Sequence, residues 1–285
     1  MSGPGRKPRA AEAAPLADLD AMDQLRGVED KDPQFVTALA RGLEVLRAFS
    51  EGDGLLGNQE IAAFTGLPKP TVSRLTYTLS RLGYLEHVER LGKYRPGIGG
   101  LALGFNVLQT AGVRRLARPL MQELADHANA SVSLGHRDRL EAVYVEYCHS
   151  NATVTLRLDL GSRVPIATTG MGRALMAGLP ESERSYLLKH IERRNPADWP
   201  RIRAGMDQAL EDYARYGFTL SVGDWERDVN AVGVPLVAPA SSNIVAFNCG
   251  APAFLLPREK LIAEVGPRLV ALVRQVEAGL RRGEV

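Results

Sequence analysis

Cysteine is scarce: Cys148 and Cys249 are the only two in 285 residues. Two thiols cannot build a disulfide framework, and their apolar neighbours read as reduced, partly buried side chains, which points to the cytoplasm. No apolar run reaches the roughly 18 residues of a membrane helix, so no membrane partner is expected. The opening stretch MSGPGRKPRAAEAAPLADLD has basic residues but no apolar segment, unlike a secretory signal. The histidines His87, His127, His136, His149 and His190 show no zinc-ligand spacing. A Gly-x-Ser-x-Gly elbow and a Walker loop are missing too. Gly97-Ile98-Gly99-Gly100 comes nearest to a dinucleotide fingerprint, but it follows Pro96 and lacks a βαβ setting. These absences argue against an enzyme: no catalytic residue, metal ligand or cofactor is expected.

What is present is an ordinary globular composition, 45% apolar and 24% charged, in a chain long enough for two cores. Residues 58–95 read as helix, tight turn, helix and a short hairpin with a basic tip. That is the layout of a winged helix-turn-helix, which places one helix in the DNA major groove. The second of these helices is expected from about Pro70 to Leu82. Val72, Leu75, Leu79 and Leu82 form its apolar stripe, and Lys69, Ser73, Arg74, Tyr77 and Arg81 fall off it. Pro70 suits the first turn, Gly66-Leu67 the tight turn with Leu67 as an apolar plug, and Gly83 the stop. Tyr84 to Val88 reads as a strand, Arg90-Leu91-Gly92-Lys93 as the wing tip and Tyr94-Arg95 as the return.

The net charge of +2 says little, but residues 68–95 hold six basic side chains against two acidic ones. Alone, such a run is as often a solvated face; beside this motif it points to phosphates, and so to double-stranded promoter DNA as partner. Arg74 is the expected base reader, since a guanidinium can bond guanine O6 and N7 together. Thr71 and Ser73 suit phosphate, and Tyr77 either. Asn58, Gln59, Lys69, Arg81, Arg90, Lys93 and Arg95 complete the expected contact surface. For Tyr77 and Arg81 an ordinary surface role is the alternative.

The chain divides into a flexible tail (1–34), the winged helix (35–97), a linker helix (98–111) and a second domain (112–285). The tail is basic at Arg6, Lys7 and Arg9 and acidic from Asp18 to Asp32. A first helix is expected from Phe35 to Phe49, with Val36, Leu39, Leu43 and Leu46 on one face, ended by Glu51-Gly52-Asp53-Gly54. A second spans Asn58 to Thr65. Residues 98–128 read as helical through Leu101, Leu108, Leu116, Leu120 and Leu124, with Pro119 early in the later helix or kinking it. Ser131 to Cys148 reads as a hairpin around Arg137-Asp138-Arg139, with further strands at 153–159, 218–222, 232–237 and 243–250. Helices are expected at 169–178, 181–192, 201–216 and 258–281. The class is α+β with a largely antiparallel sheet.

From Phe35 onward the chain resembles transcriptional regulators of the IclR family. FVTALARGLEVLRAF resembles the opening helix, EIAAFTGLPKPTVSRLTYTLSRLGYL the helix-turn-helix, and GKYRPGIGGLALG the end of the wing and start of the linker. GSRVPIATTGMGRALMA resembles the loop and helix bordering the effector pocket, and YGFTLSVGDWERDVNAVGVPLV and VAFNCGAP the later strands facing it. The resemblance implies a winged helix, a linker helix and a GAF-like effector domain. It also implies dimers, often paired into tetramers, on pseudo-palindromic promoter sites.

By position, the resemblance places the pocket at Gly170, Met171, Ser221, Ala231, Asn248 and Gly250. A helix start at Gly170-Met171 offers N–H groups and a favourable dipole to a carboxylate. Members responding to glyoxylate and pyruvate carry an acid, a thiol and two serines at the last four places. All four differ here, which argues against a two- or three-carbon keto acid. Asn248 keeps hydrogen-bonding capacity, Ala231 and Gly250 make room, and Met171 is the expected pliable wall. SVGDWERDVNAVGVPL is also similar to members governing aromatic-acid breakdown, so a larger, aromatic acid is the expected effector. Trp225 reads as a lid, a loop-packing residue or an interface residue. His136 and Tyr144 face the cavity or are structural, and Arg163 binds a carboxylate or forms a surface salt bridge. Two alternatives stand beside this reading: a second domain that only assembles, and an enzyme acting on an aromatic or acyl acid.

Overall fold

The computed structural model describes residues 34–50, 54–110, 112–151, 156, 158–237 and 244–283. The expected tail up to residue 33, the helix break at 51–53, the linker's last residue 111, residues 153–155 and 157 of the expected strand 153–159 and residue 243 of the strand 243–250 lie outside them. The chain forms two compact units, the first reaching Thr110 and the second following it.

The first unit runs α1 (Thr37–Arg47), continued by a 3-10 turn over Ala48–Ser50, α2 (Asn58–Thr65), α3 (Lys69–Arg81), β1 (Leu85–Val88), β2 (Lys93–Pro96) and α4 (Ile98–Thr110). Glu60 sets the start of α2 by accepting from the Gly57 N–H at 2.6 Å, the N3 half of a capping box. Val45, Ala48, Phe49, Ile61, Val72 and Leu85 are buried together, with Leu67, Leu75 and Leu79 packed against them. Leu67 is thus the plug of the turn.

Two stripes differ from the sequence expectation. Leu82 is 64% exposed, and Thr76 is fully buried in its place. At about 100° per residue, Leu82 lies roughly 80° around the helix from Val72, whereas Thr76 lies about 40° away and faces the core. On α1, Val36, Leu39 and Leu43 are exposed, and the core takes Val45, Ala48 and Phe49 instead. The apolar periodicity is real, but of that face only Leu46 packs against its own unit's core.

β1 and β2 form an antiparallel hairpin in the register Leu85↔Pro96 to Val88↔Lys93, closed by a 3-10 turn over Glu89–Leu91. Leu56 bridges to Tyr94 on the other edge of β2. The glycines resembling a dinucleotide loop have a packing role. A Cβ on Gly97 would fall 2.3 Å from the Gly83 carbonyl, to which Gly99 N–H donates at 3.1 Å. The start of α4 is thereby pressed against the end of α3.

The second unit opens with α5 (Gly112–Ala128), which runs past Pro119. Its six-stranded sheet has the order β5-β4-β3-β8-β7-β6, antiparallel throughout. The strands are β3 (Ser131–Asp138), β4 (Glu141–His149), β5 (Arg163–Pro165), β6 (Thr219–Val222), β7 (Val229–Val237) and β8 (Ile244–Pro252). The helices are α6 (Gly170–Gly178), α7 (Glu181–Arg194), α8 (Trp199–Tyr216) and α9 (Gly266–Arg281), the last preceded by a π turn over Leu261–Val265. Buried residues of α5 and α9, among them Met121, Leu124, Leu269 and Val276, share one core with Val132, Leu134, Val232 and Phe247 of the sheet.

The opposite face carries α6. A Cβ on Gly233 of β7 would lie 2.1 Å from the Gly170 carbonyl, so this helix start can sit on the strand only because the glycine is there. Three details depart from the sequence reading. The first hairpin turns at Arg139-Leu140, one residue later than expected. Leu156, Leu158 and Asp159 are not strand, and β5 was not foreseen.

Candidate nucleic-acid interface and ligand cavity

α3 presents Lys69, Ser73, Arg74, Tyr77 and Arg81 to solvent, with Tyr77 65% exposed and Thr71 half-buried. Gln59 and Arg90 are exposed as well. Among the described residues, none of Lys69, Arg74, Arg81 and Arg90 is paired with a carboxylate.

Three expected contacts are instead engaged within the unit. Lys93 pairs with Glu60 at 3.0 Å, and Arg95 holds Glu86 bidentately at 3.0 and 2.7 Å. Asn58 Oδ1 lies 3.2 Å from the hydroxyl of buried Thr76. The Gly57 N–H, then Lys93, hold the Glu60 carboxyl below the usual range, and Arg95 does the same for Glu86. Both pairs are exposed, where ion pairs are weak and a phosphate can replace the carboxylate.

In the second unit, strand register builds a cavity. Ser221, Ala231 and Gly250 stand in one rung across β6, β7 and β8, and Asn248 is two residues along β8 from Gly250, hence on the same face. With Thr169 and Gly170 at the head of α6 they line a cavity closed by Tyr144, Leu156, Leu158, Trp225 and Val229. No lining side chain among the described residues is charged. A nine-residue helix starts here, its N-cap Thr169 accepting from the Gly172 N–H at 3.1 Å. The first N–H groups of such a helix have no intrahelical acceptor.

Asn248 is 6% exposed and its Oδ1 accepts no hydrogen bond, an omission that costs about 1–3 kcal/mol. The free space is about 20 Å³, room for a single water. Trp225 also borders a wider cleft of about 790 Å³, with Arg201, Asp224, Glu226, Arg227 and Asp228.

Of the six pocket residues expected, Gly170, Ser221, Ala231, Asn248 and Gly250 come together here. Met171 does not: it is fully buried, its sulfur over Gly135 of β3, because the next residue of a helix points about 100° away. His136 is not a lining residue either, and burial pushes its pKa down. Arg163 is tied to Asp138 at 2.7 Å and Glu141 at 2.6 Å, a structural pairing. Burial lifts both thiols, that of Cys249 to about 12.

Two features escaped sequence reasoning. Arg173 is 3% exposed, and its Nε donates to the Ala167 carbonyl at 3.1 Å. Its Nη1 donates to the Leu220 carbonyl at 2.8 Å and to Asp224 Oδ2 at 2.7 Å. It clamps the base of the Trp225 loop; an arginine inside the apolar run of α6 was the available signal. The second is a bulge. Leu134 pairs with Glu146, but Gly135 pairs with Tyr144, so β4 carries an extra residue, Val145. Tyr144 therefore faces the cavity while Glu146 is held by Arg114 and Arg118 of α5. Burial pushes the Tyr144 hydroxyl up to about 12, so it stays a neutral donor.

Comparison with known proteins matches both units to one family. The family model described as "Bacterial transcriptional regulator IclR C-terminal" matches residues 105–278, and "IclR helix-turn-helix domain" matches residues 38–89. The "HTH-type transcriptional regulator TsaQ1/TsaQ2" of Comamonas testosteroni is 35% identical over 261 residues, covering 91% of this chain and 92% of that one. The crystal structure of an IclR family transcriptional regulator from Brucella abortus is 52% identical, with a TM-score of 0.81 over 89% of this chain and 96% of that one. An IclR homologue from Microbacterium hydrocarbonoxydans, solved with 4-hydroxybenzoate, shares the fold at 20% identity, with a TM-score of 0.67 over 86% and 99% of the two chains.

Proposed function

Because this chain belongs to the IclR family of bacterial transcriptional regulators, and is a DNA-binding regulator rather than an enzyme, we propose that it is a cytoplasmic repressor or activator tuned by a small organic acid. In this reading α3 lies in the major groove of a pseudo-palindromic promoter site. Arg74 reads guanine, Thr71 and Ser73 bond phosphate, and Lys69, Tyr77, Arg81 and Arg90 extend the contact. Lys93 and Arg95 join by exchanging their carboxylates for phosphates. Two such units are needed for a two-fold site. The exposed Val36 before α1, Leu39 and Leu43 of α1, and Ile98, Leu101 and Leu103 of α4 supply apolar surface for self-association as a homodimer, or a homotetramer of paired dimers.

The observation that carries ligand sensing is the unpartnered Asn248 Oδ1 in a cavity headed by the start of α6. An anion is favoured there by the helix N-terminus rather than by a cation. An aromatic acid needs more than the present 20 Å³, so binding displaces Trp225 toward the outer cleft. The ligand changes promoter output only if it binds two conformations of the regulator with different affinity.

The test is fluorescence anisotropy on DNA flanking the protein's own gene, at several salt concentrations, with scrambled DNA alongside. Sequence-preferring binding that weakens steeply with salt and shifts with an organic acid supports the reading. The small cavity favours a second one, in which the domain only assembles. Preserved DNA binding with no thermal shift from any acid would select that second reading.

A further inference from the structure

Helix α5 starts against its own electrostatics. Its first turn holds Gly112, a poor helix former, then Arg114 and Arg115 and no acid, with Arg118 one turn on. The start of a helix is its positive end, so cations there are unfavourable, and Arg114 and Arg118, four residues apart, repel each other. The compensation comes from outside the helix. Glu146 of β4 is 1% exposed; its Oε2 accepts from Arg114 Nε at 2.6 Å and its Oε1 from Arg118 Nη1 at 2.5 Å. The Tyr147 N–H donates to the same Oε1 at 3.1 Å. One buried carboxylate thus offsets the charge of the turn at which the chain enters α5. Only residue 111 lies between that turn and the end of the linker helix α4 at Thr110.

The bulge in β4 delivers that carboxylate. Val145 and Glu146 stand where a regular strand has one residue, and both face α5: Val145 packs against the core that α5 and α9 share, and Glu146 meets the arginines. The flanking tyrosines face the other way. Tyr144 lines the cavity, and Tyr147 donates to the carbonyl of Leu156, another lining residue, at 3.0 Å. Their rings stack with centroids 6.3 Å apart. In a regular strand residues 144 and 146 would share a face. Here the extra residue puts one in the cavity wall and the other at the foot of the linker. Stability alone is a weak reason for the charge, since apolar packing commonly serves as well as a buried ion pair, and Val145 and Cys148 already pack in that core. We propose that Glu146 is a positioning residue for operator binding: it keeps the first turn of α5 wound and so fixes the end of the linker helix. Displacement of Tyr144 by a ligand draws Glu146 away and loosens that turn. The proposal rests on the reading above of a ligand-tuned regulator on a two-fold site.

The experiment compares the full-length wild type with Glu146→Gln, Arg118→Gln, Tyr144→Ala and Tyr144→Phe, by amide hydrogen exchange and by DNA binding, without ligand. Arg118 is 60% exposed, so its substitution tests the contact without disturbing the core. The amides to follow are those of Leu116, Ala117 and Arg118, whose intrahelical acceptors lie in the first turn. They should exchange about tenfold faster in Glu146→Gln, Arg118→Gln and Tyr144→Ala, with α9 and β8 unchanged. Tyr144→Phe keeps the ring and should leave the turn wound. On DNA, moving the half-sites apart by two base pairs turns them by about 70° about the axis. The wild type should lose about tenfold in affinity, the loosened variants under threefold, with binding to a single half-site equal in all. A role in stability alone would speed exchange throughout the second unit and lower every affinity in proportion, and that result overturns the proposal. Wild-type protection of the three amides in both Glu146→Gln and Arg118→Gln overturns it as well. Wild-type protection in Tyr144→Ala, beside a loosened turn in Glu146→Gln, overturns the link to the cavity. A wild type indifferent to spacing overturns the two-fold reading instead, and the exchange data then decide the role of Glu146 alone.

Discussion

Taken separately, the two units differ in where their candidate functional side chains lie, outside in one and inside in the other. The first has a small core around Val72 and Phe49 and carries its chemistry outside, on the exposed face of α3 and on the wing. The second buries its sheet under α5 and α9 and keeps its polar groups inside, at Asn248, Ser221 and Thr169. An outside site is limited by competition with water and salt; an inside site is limited by desolvation and by whatever must move to admit a ligand. Truncating a functional side chain should therefore cost binding but not stability in the first unit; in the second the cost in stability depends on whether the buried group has a partner, as Arg173 does and Asn248 Oδ1 does not.

The sharpest break in stability is expected at Arg173. Arg173→Ala leaves Asp224 and two carbonyls facing an emptied buried site, so the second unit should lose about 3 kcal/mol or more. Urea denaturation monitored at Trp225 checks this, and a loss under 1 kcal/mol would mean that water replaces the guanidinium. Next comes Leu39→Glu, which places a charge on the exposed apolar face of α1. The isolated fold should hold, while self-association seen by analytical ultracentrifugation weakens and operator affinity drops with it. Unchanged assembly would remove α1 from the interface. Arg74→Ala should cost about 1–3 kcal/mol of operator binding, roughly ten- to a hundredfold, with an unchanged melting temperature. A variant that melts early would place Arg74 in the fold rather than on DNA.

The same contrast decides what could be read beforehand. α2 was placed to the residue, because Asn58, Glu60 and the Gly66 turn mark its ends locally. The face of α3 was legible because helical period alone separates Arg74 from Val72. The error at Leu82 came from extending the i, i+3, i+7 spacing to i+10, which leaves the side chain roughly 80° from Val72, while Thr76 at i+4 was not counted among the apolar positions. The α1 stripe was read as one face without a partner, since periodicity does not say what a face meets: Leu46 packs on the core while Leu39 and Leu43 stay exposed. In the second unit, the cavity positions Ser221, Ala231, Asn248 and Gly250 came from resemblance. Only cross-strand register brings Ser221, Ala231 and Gly250 into one rung, and no local pattern encodes it. β5 is three residues long and carries no alternation to detect, and the bulge at Val145 has no turn residue to announce it.

The smallest effect concerns the wing, where fold and function compete for the same cations. Glu86 is held below its usual 4.5 by Arg95, and Glu60 by the Gly57 N–H and Lys93. A depressed carboxylate contributes stability above its unfolded-state value, and that contribution fades as pH falls through the lower folded-state value. The wing should thus be insensitive to pH between 7 and 5 and should loosen only below about 4.5, where Glu86→Gln and the wild type converge. At neutral pH the same substitution frees Arg95 from its bidentate partner. If Arg95 meets phosphate, Glu86→Gln should tighten DNA binding a few-fold, and Arg95→Ala should weaken it and lower the salt slope by about one. Opposite signs for the two variants would show an arginine shared between hairpin and DNA. Weaker binding in both would mean that Arg95 serves only to hold Glu86, and that the wing reaches DNA through Arg90 instead.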